Sequence, residues 1–180
     1  MTLMRPTTRL PVLAPRAERE ERRRLAQEDR RGAMLATLAR VREVLAATDP
    51  IVARGWVQEA WYVTRDASGH EWAFGLPSPS LRVETVERSC LVGAVILAAG
   101  GTDSVGTQPL GRAIEALWHA LHRREAEPVE WSPPTVIHSG HVRDLTRWND
   151  SPWTSQGGVR SLIERGQDVV ARERERVLAS

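Results

Sequence analysis

The spacing of apolar residues predicts a helix in the first third of the chain. Four apolar residues follow one another at intervals of four, three and four positions: Met34, Leu38, Val41 and Leu45. Residues with this spacing share one face of a helix, and an apolar face packs against a core. The helix is expected to end at Asp49-Pro50, because proline disfavours helical backbone in the residue before it.

The apolar pattern changes to a period of two after Gly55-Trp56. Ala60, Tyr62 and Thr64 alternate with Trp61 and Val63, residues 66–69 (DASG) have turn composition, and residues 70–74 are able to return as a second strand. The sequence therefore predicts a β-hairpin near residues 57–75.

A broad apolar stripe then predicts a buried central helix that begins near Leu81, with Ser80 as its N-cap. The stripe consists of Val83, Val86, Cys90, Gly93 and Leu97. Gly100-Gly101 is expected to end this helix.

Three further helices are predicted at residues 110–124, 141–148 and 156–177. The expected fold is α+β and predominantly α, a compact bundle of about four helices with one small hairpin. The globular domain is predicted to span residues 33–180. Residues 1–15 contain three prolines and no periodicity, which predicts a flexible leader.

Charge is concentrated between the leader and the globular domain. Residues 1–32 hold nine arginines against five acidic residues, whereas the whole chain has a net charge of only +2. Residues 16–32 mix both signs at helical spacing, as in the pair Glu18 and Arg22, and are predicted to form a charged helical arm.

Composition narrows the function classes. The single cysteine excludes an internal disulfide, and a chain without lysine has neither a P-loop lysine nor a Schiff-base lysine. No run approaches the roughly 18 apolar residues of a membrane span, and the first thirty residues lack the apolar core of a secretory signal. We therefore expect a cytoplasmic protein with no cofactor and no membrane partner.

Three separated motifs carry a family resemblance. They are Gly55-Trp56 followed by RDASG, then Cys90-Leu91-Val92-Gly93-Ala94, and then Trp148-Asn149-Asp150-Ser151-Pro152. Together they resemble an uncharacterised family of small bacterial and phage-borne proteins, known only as a domain of unknown function. The resemblance covers roughly residues 34–172, leaves residues 1–32 outside, and implies no activity.

The chain departs from the family pattern at two points. Ser89 stands where the pattern has tryptophan before the cysteine, and Gly158 replaces the glutamate of the last motif. That glutamate belongs to a helix capping box. Without it, we expect a frayed first turn near Ser155.

Cys90 is a candidate nucleophile, with His138 or His141 as base and Asn149 or Asp150 as the residue that orients it. If Ser89 caps a helix, Cys90 lies at its positive end and is activated. If Ser80 is the cap, Cys90 lies inside the helix and faces the core. The apolar rhythm over residues 83–88 favours the buried position, so no catalytic residue is predicted.

Four histidines form two His-x-x-His pairs, His119 with His122 and His138 with His141. Four imidazoles are able to hold zinc, but no further ligand motif supports a metal site and none is predicted. The motif from Trp148 to Pro152 favours a structural corner over a ligand site. The residues expected to be structural are Trp56, Gly93, Trp148, Asn149, Asp150 and Pro152.

The arginines of the arm are the remaining candidates: Arg22, Arg23, Arg24, Arg30 and Arg31. Interleaved acidic residues and the lack of aromatic residues argue against a dedicated nucleic-acid surface. The leading hypothesis is a non-enzymatic interaction protein whose arm binds a protein partner. The alternatives are a cysteine hydrolase or transferase that uses Cys90, and a protein that binds nucleic acid through the arm.

Overall fold

The computed structural model describes residues 16–75, 83–124 and 127–180. Over these ranges the chain is α+β and mostly helical, as predicted. The elements are α1 (Arg16–Arg54), β1 (Tyr62–Arg65), β2 (Glu71–Phe74), β3 (Val86–Ser89), α2 (Leu91–Ala99), α3 (Gln108–Leu121), α4 (Thr135–Asn149) and α5 (Gln156–Ala179). The leader predicted at residues 1–15 and the predicted cap Ser80 lie outside the described residues. None of the helices in the described ranges is long and apolar enough to cross a membrane.

The chain divides into two units, Met1–Met34 and Leu35–Ser180. The described part of the first unit is the N-terminal portion of α1. Its side chains are exposed from residue 16 to residue 33, and ion pairs at helical spacing connect them, such as Arg16 with Glu20 at 2.7 Å. Such exposed pairs each contribute only a few tenths of a kcal/mol, about 0.2–0.5.

In the second unit, α1 buries the predicted stripe of Leu38, Val41 and Leu45. The predicted end at Asp49-Pro50 is wrong, because the helix continues through Pro50 to Arg54. Proline removes one backbone hydrogen bond within a helix. The turn after it buries Val52 completely, and this burial offsets the loss.

The predicted hairpin is present and forms part of a three-stranded antiparallel sheet. β1 is central, with β2 on one side and β3 on the other. Tyr62 of β1 pairs with Phe74 of β2 and with Ser89 of β3. Tyr62 is fully buried and packs with Val86 and Leu97 in a small apolar cluster.

The third strand corrects the helix predicted from Leu81. Residues Val86–Ser89 form β3, and α2 begins only at Leu91. Val86 and Ser89 are buried while Glu87 is exposed, and this strand pairs with the second edge of β1. Backbone hydrogen bonds of β1 are satisfied by this strand, which a longer helix would leave unpaired.

Helices α2, α3, α4 and α5 form the rest of the core, with α3 packed against the other three. Helix α4 begins at Thr135, earlier than the short helix predicted at residues 141–148. Helix α5 begins at Gln156 as predicted, and Oγ of Ser155 accepts a hydrogen bond from the N–H of Gly158 at 3.1 Å. The capping bond that serine alone supplies is therefore made, although the glutamate of the capping box is missing.

Candidate functional site

Asn149, at the end of α4, joins three distant segments. Its side chain is fully buried. Oδ1 accepts hydrogen bonds from Nε1 of Trp56 at 2.8 Å and from the N–H of Leu91 at 3.0 Å. Nδ2 donates to the carbonyl of Val57 at 3.1 Å and to Oδ1 of Asp150 at 2.8 Å. All four hydrogen-bonding positions face protein atoms, so this side chain holds the structure together and leaves no position for a ligand.

The neighbours of Asn149 extend the same network. Nε2 of Gln58 donates to the carbonyls of Asn149 and Ser151, and the N–H of Glu59 donates to Oδ1 of Asp150 at 3.0 Å. Glu59 has a positive φ of 62°, and this bond holds its backbone in the left-handed region. The motifs that begin at Gly55 and at Trp148 thus meet in one polar network.

Gly55 lies in close contact with the backbone of β3. A Cβ atom at this position would stand 2.5 Å from the carbonyl oxygen of Glu87. The carbonyl of Gly55 in turn accepts the N–H of Ser89 at 3.0 Å. Glycine is required here because the two backbones touch.

Cys90 occupies the N-cap of α2, which is neither of the two positions considered from the sequence. It lies neither inside a helix nor at the first helical position. Its Sγ accepts a hydrogen bond from the N–H of Gly93 at 3.3 Å, and the residue is 1% exposed. Burial raises the pKa of the thiol to about 11, so the thiolate required of a nucleophile is disfavoured.

The proposed catalytic partner of Cys90 is engaged elsewhere. Nδ1 of His141 hydrogen bonds to Glu115 at 2.6 Å. In the part of the chain that the structure describes, the hydrogen bond of the Cys90 Sγ goes to backbone and not to an imidazole. The set Cys90, His141 and Asn149 or Asp150 is therefore not assembled as a hydrolase triad.

Cys90 has an expected pH signature. The thiol of an unfolded chain ionises at about pH 8.5, whereas the buried thiol keeps its proton up to about pH 11. The folded state therefore binds more protons in this window, and stability is lost as the pH rises through it. Between about pH 8 and about pH 11, we expect Cys90→Ser, which retains a capping oxygen and does not titrate, to lose about 3 kcal/mol less stability than the wild type.

Denaturant titrations at several pH values measure this difference. Native Cys90 is also expected to resist iodoacetamide until the chain unfolds. Rapid alkylation of the folded protein, or identical pH dependence of the two proteins, would contradict the buried, protonated thiol.

A second polar cluster lies between α3 and α4 and was not predicted. Glu115 of α3 is 1% exposed. Its two carboxylate oxygens accept separate hydrogen bonds, from Nδ1 of His138 at 2.6 Å and from Nδ1 of His141 at 2.6 Å. The ring of His141 stacks on Trp118 at 3.8 Å between centroids. These two hydrogen bonds compensate the Glu115 carboxylate for the water that it loses on burial.

The other two histidines do not join this carboxylate. Nδ1 of His122 bonds to the carbonyl of Trp118 at 2.9 Å in its own helix. His119 is buried, and burial lowers its pKa. Over the described ranges, no group of three or more His, Cys, Asp or Glu side chains is arranged to hold a metal ion.

A cavity of about 600 Å³ adjoins the Glu115 cluster. The sequence offered one indication of this cluster, an acidic residue, Glu115, on the buried face of an amphipathic helix. Most of the wall is apolar, and the polar wall residues include Glu115, His138 and Arg112. The apolar wall residues include Trp61, Val92, Ile96, Leu110, Ile114, Trp131 and Val142.

Seven of the twelve charged residues in the described part of the first unit lie on two opposite faces of its helix. Among the other five, Glu20 pairs with Arg16 at 2.7 Å. One face is basic and carries residues spaced by three, four and seven positions: Arg16, Arg19, Arg23 and Arg30. The opposite face carries Glu18, Glu21, Leu25 and Glu28, spaced by three, four and three. The five arginines predicted to bind a partner are thereby divided: Arg23 and Arg30 lie on the basic face, whereas Arg22, Arg24 and Arg31 lie off it.

Comparison with known proteins identifies the family alone. No curated protein and no solved structure matches the chain. One family model matches residues 23–169, so the match begins within α1, earlier than the boundary expected near residue 34. Since it spans most of the chain, this protein belongs to DUF6197, a family of unknown function.

Proposed function

We propose that this is a cytoplasmic interaction protein that binds an acidic surface of a protein partner through the basic face of its N-terminal helix. The observation that carries the proposal is charge segregation on a helix whose side chains are exposed from residue 16 to residue 33. An arginine face of this kind supplies planar, charge-assisted hydrogen bonds to carboxylates.

The acidic face favours a protein partner over nucleic acid. A helix in a DNA groove has phosphates on both sides, so Glu18, Glu21 and Glu28 would be held against like charge. A protein surface contacts one face of a helix and leaves the other in water. The described arm also has no aromatic residue to stack on bases.

The cysteine hydrolase alternative is not proposed. Its nucleophile is buried and hydrogen bonded to backbone, and its histidine bonds to Glu115. The interaction hypothesis requires neither group to react.

The test uses two full-length variants with the same change in net charge. Arg19→Glu, Arg23→Glu and Arg30→Glu together reverse the basic face, whereas Arg22→Glu, Arg24→Glu and Arg31→Glu place the same charges off it. The measurement is capture of a protein from nuclease-treated host lysate, followed by titration of that purified protein. Reversal of the basic face is expected to weaken binding at least about ten-fold, and the matched variant much less.

Circular dichroism confirms that both variants keep their helix content. Equal loss of binding in both variants, or no loss in either, would refute the proposed face. A 20-base-pair duplex (roughly two turns) serves as the second probe. Tight binding of that duplex by the wild type, with a steep salt dependence that reversal of the basic face abolishes, would establish the nucleic-acid alternative instead.

A further inference from the structure

We propose that the cavity beside Glu115 binds a small, largely apolar molecule that donates a hydrogen bond to Nε2 of His138. The proposal concerns the second unit alone and goes beyond the partner binding proposed for the arm. The two are tested by different variants, so either one is able to fail without the other.

The size and walls of the cavity indicate the body of the ligand. Its volume of about 600 Å³ lies within the range of roughly 300–1,000 Å³ that is usual for small-molecule sites. The half-buried tryptophans Trp61 and Trp131 line the cavity together with branched aliphatic residues. Flat indole surfaces and aliphatic groups favour an aromatic or other apolar body.

The orientation of His138 indicates the polar group of the ligand. Glu115 accepts a hydrogen bond from Nδ1 of His138, which places the proton of the neutral ring on Nδ1. Nε2 is then the hydrogen-bond acceptor on the far edge of the ring. The side chain of His138 is about one-third exposed and belongs to the cavity wall. A hydroxyl or N–H of the ligand therefore matches this nitrogen.

Glu115 orients the ring of His138 and does not bind the ligand itself. Both of its oxygens are engaged by imidazoles. Because His141 occupies the second oxygen and stacks on Trp118, the carboxylate is held in one orientation. The cavity thus presents a fixed acceptor beside apolar walls, and a ligand with a donor gains one net hydrogen bond over a ligand without one.

The probes are 2-naphthol and 2-methoxynaphthalene, which share an aromatic body and differ in the hydroxyl donor. Binding to the full chain is measured by ligand-observed NMR and by tryptophan fluorescence. We expect 2-naphthol to bind about three- to ten-fold more tightly than its methyl ether, the effect of one net hydrogen bond.

Two variants separate the cavity from the hydrogen bond. Gly111 of α3 lies in the cavity wall, and a Cβ there makes only ordinary contact, 3.8 Å from Cε1 of His138. Gly111→Phe is expected to fill the cavity and abolish binding of both probes. Its matched control is Gly140→Phe, since Gly140 of α4 has open space around it and lies outside the wall described for the cavity.

His138→Asn retains an N–H for Glu115 and removes Nε2. In this variant we expect the two probes to bind equally. Failure of both probes to bind the wild type, or unchanged binding to Gly111→Phe, would overturn the site. A preference for 2-naphthol that persists in His138→Asn would overturn the assignment of His138.

Discussion

Asn149→Ala is expected to lower the free energy of unfolding by about 3–5 kcal/mol. The substitution removes the acceptor of Trp56 Nε1 and of the Leu91 N–H, and the donor to the Val57 carbonyl. Each buried polar group left without a partner costs roughly 1–3 kcal/mol. The methyl group of alanine cannot reach any of these groups, and the cavity that it leaves adds to the loss.

Gln58→Ala is the control for this prediction. Gln58 hydrogen bonds to the carbonyls of Asn149 and Ser151 in the same network, but its side chain is only half-buried. Water replaces its bonds, so we expect a loss of about 1 kcal/mol. Urea denaturation monitored by tryptophan fluorescence measures both variants. A cost for Asn149→Ala no larger than that for Gln58→Ala would refute the central role of Asn149.

The network around Asn149 marks where the sequence stops being informative. The motif from Trp148 to Pro152 favours a corner on local grounds, because Asn and Asp satisfy turn backbone. Its partners Trp56 and Leu91 lie far away along the chain. Local patterns carry no information about which distant segments meet, so the corner was predictable and its role in joining three segments was not.

The same distinction applies to the secondary structure. Helices α3 and α5 were predictable, because their apolar faces repeat at helical spacing over several turns. The segment Val86–Ser89 was not, since its single apolar residue, Val86, fits either a helix or a short strand. What decides its structure is the unpaired edge of β1, which is a property of the assembled sheet.

Glu115 was missed for a related reason. A carboxylate on an amphipathic helix is normally assigned to solvent. It is buried here because α4 brings His138 and His141 within 2.6 Å of its two oxygens. A His-x-x-His pair downstream of an inward-facing acid is the pattern that would have found this cluster.

Gly93→Ala is expected to lower the free energy of unfolding by more than about 3 kcal/mol. A Cβ at this position would stand 2.5 Å from the carbonyl oxygen of Trp61 and 2.9 Å from Cε1 of Tyr62. Neither neighbour is free to move. The Trp61 carbonyl accepts the N–H of Cys90 at 3.1 Å, and Tyr62 is fully buried.

Relief of this clash would shift the first turn of α2 away from β1. That shift would strain the bond from Leu91 to Asn149, so damage at Gly93 is expected to spread to the Asn149 network. The double variant Gly93→Ala, Asn149→Ala should therefore cost less than the sum of the two single variants, by about 0.5–3 kcal/mol.

Gly140→Ala is the matched control, because Gly140 lies within α4 and a Cβ there meets no atom within 4 Å. Alanine favours a helix over glycine, so this variant is expected to be more stable than the wild type by about 0.5–1 kcal/mol. Opposite changes in the free energy of unfolding at these two helical glycines would distinguish a steric clash from an effect of helix propensity. If Gly93→Ala proved neutral, or if the two single costs simply added, the contact between α2 and β1 would not be the constraint that requires glycine in the Cys90–Ala94 motif.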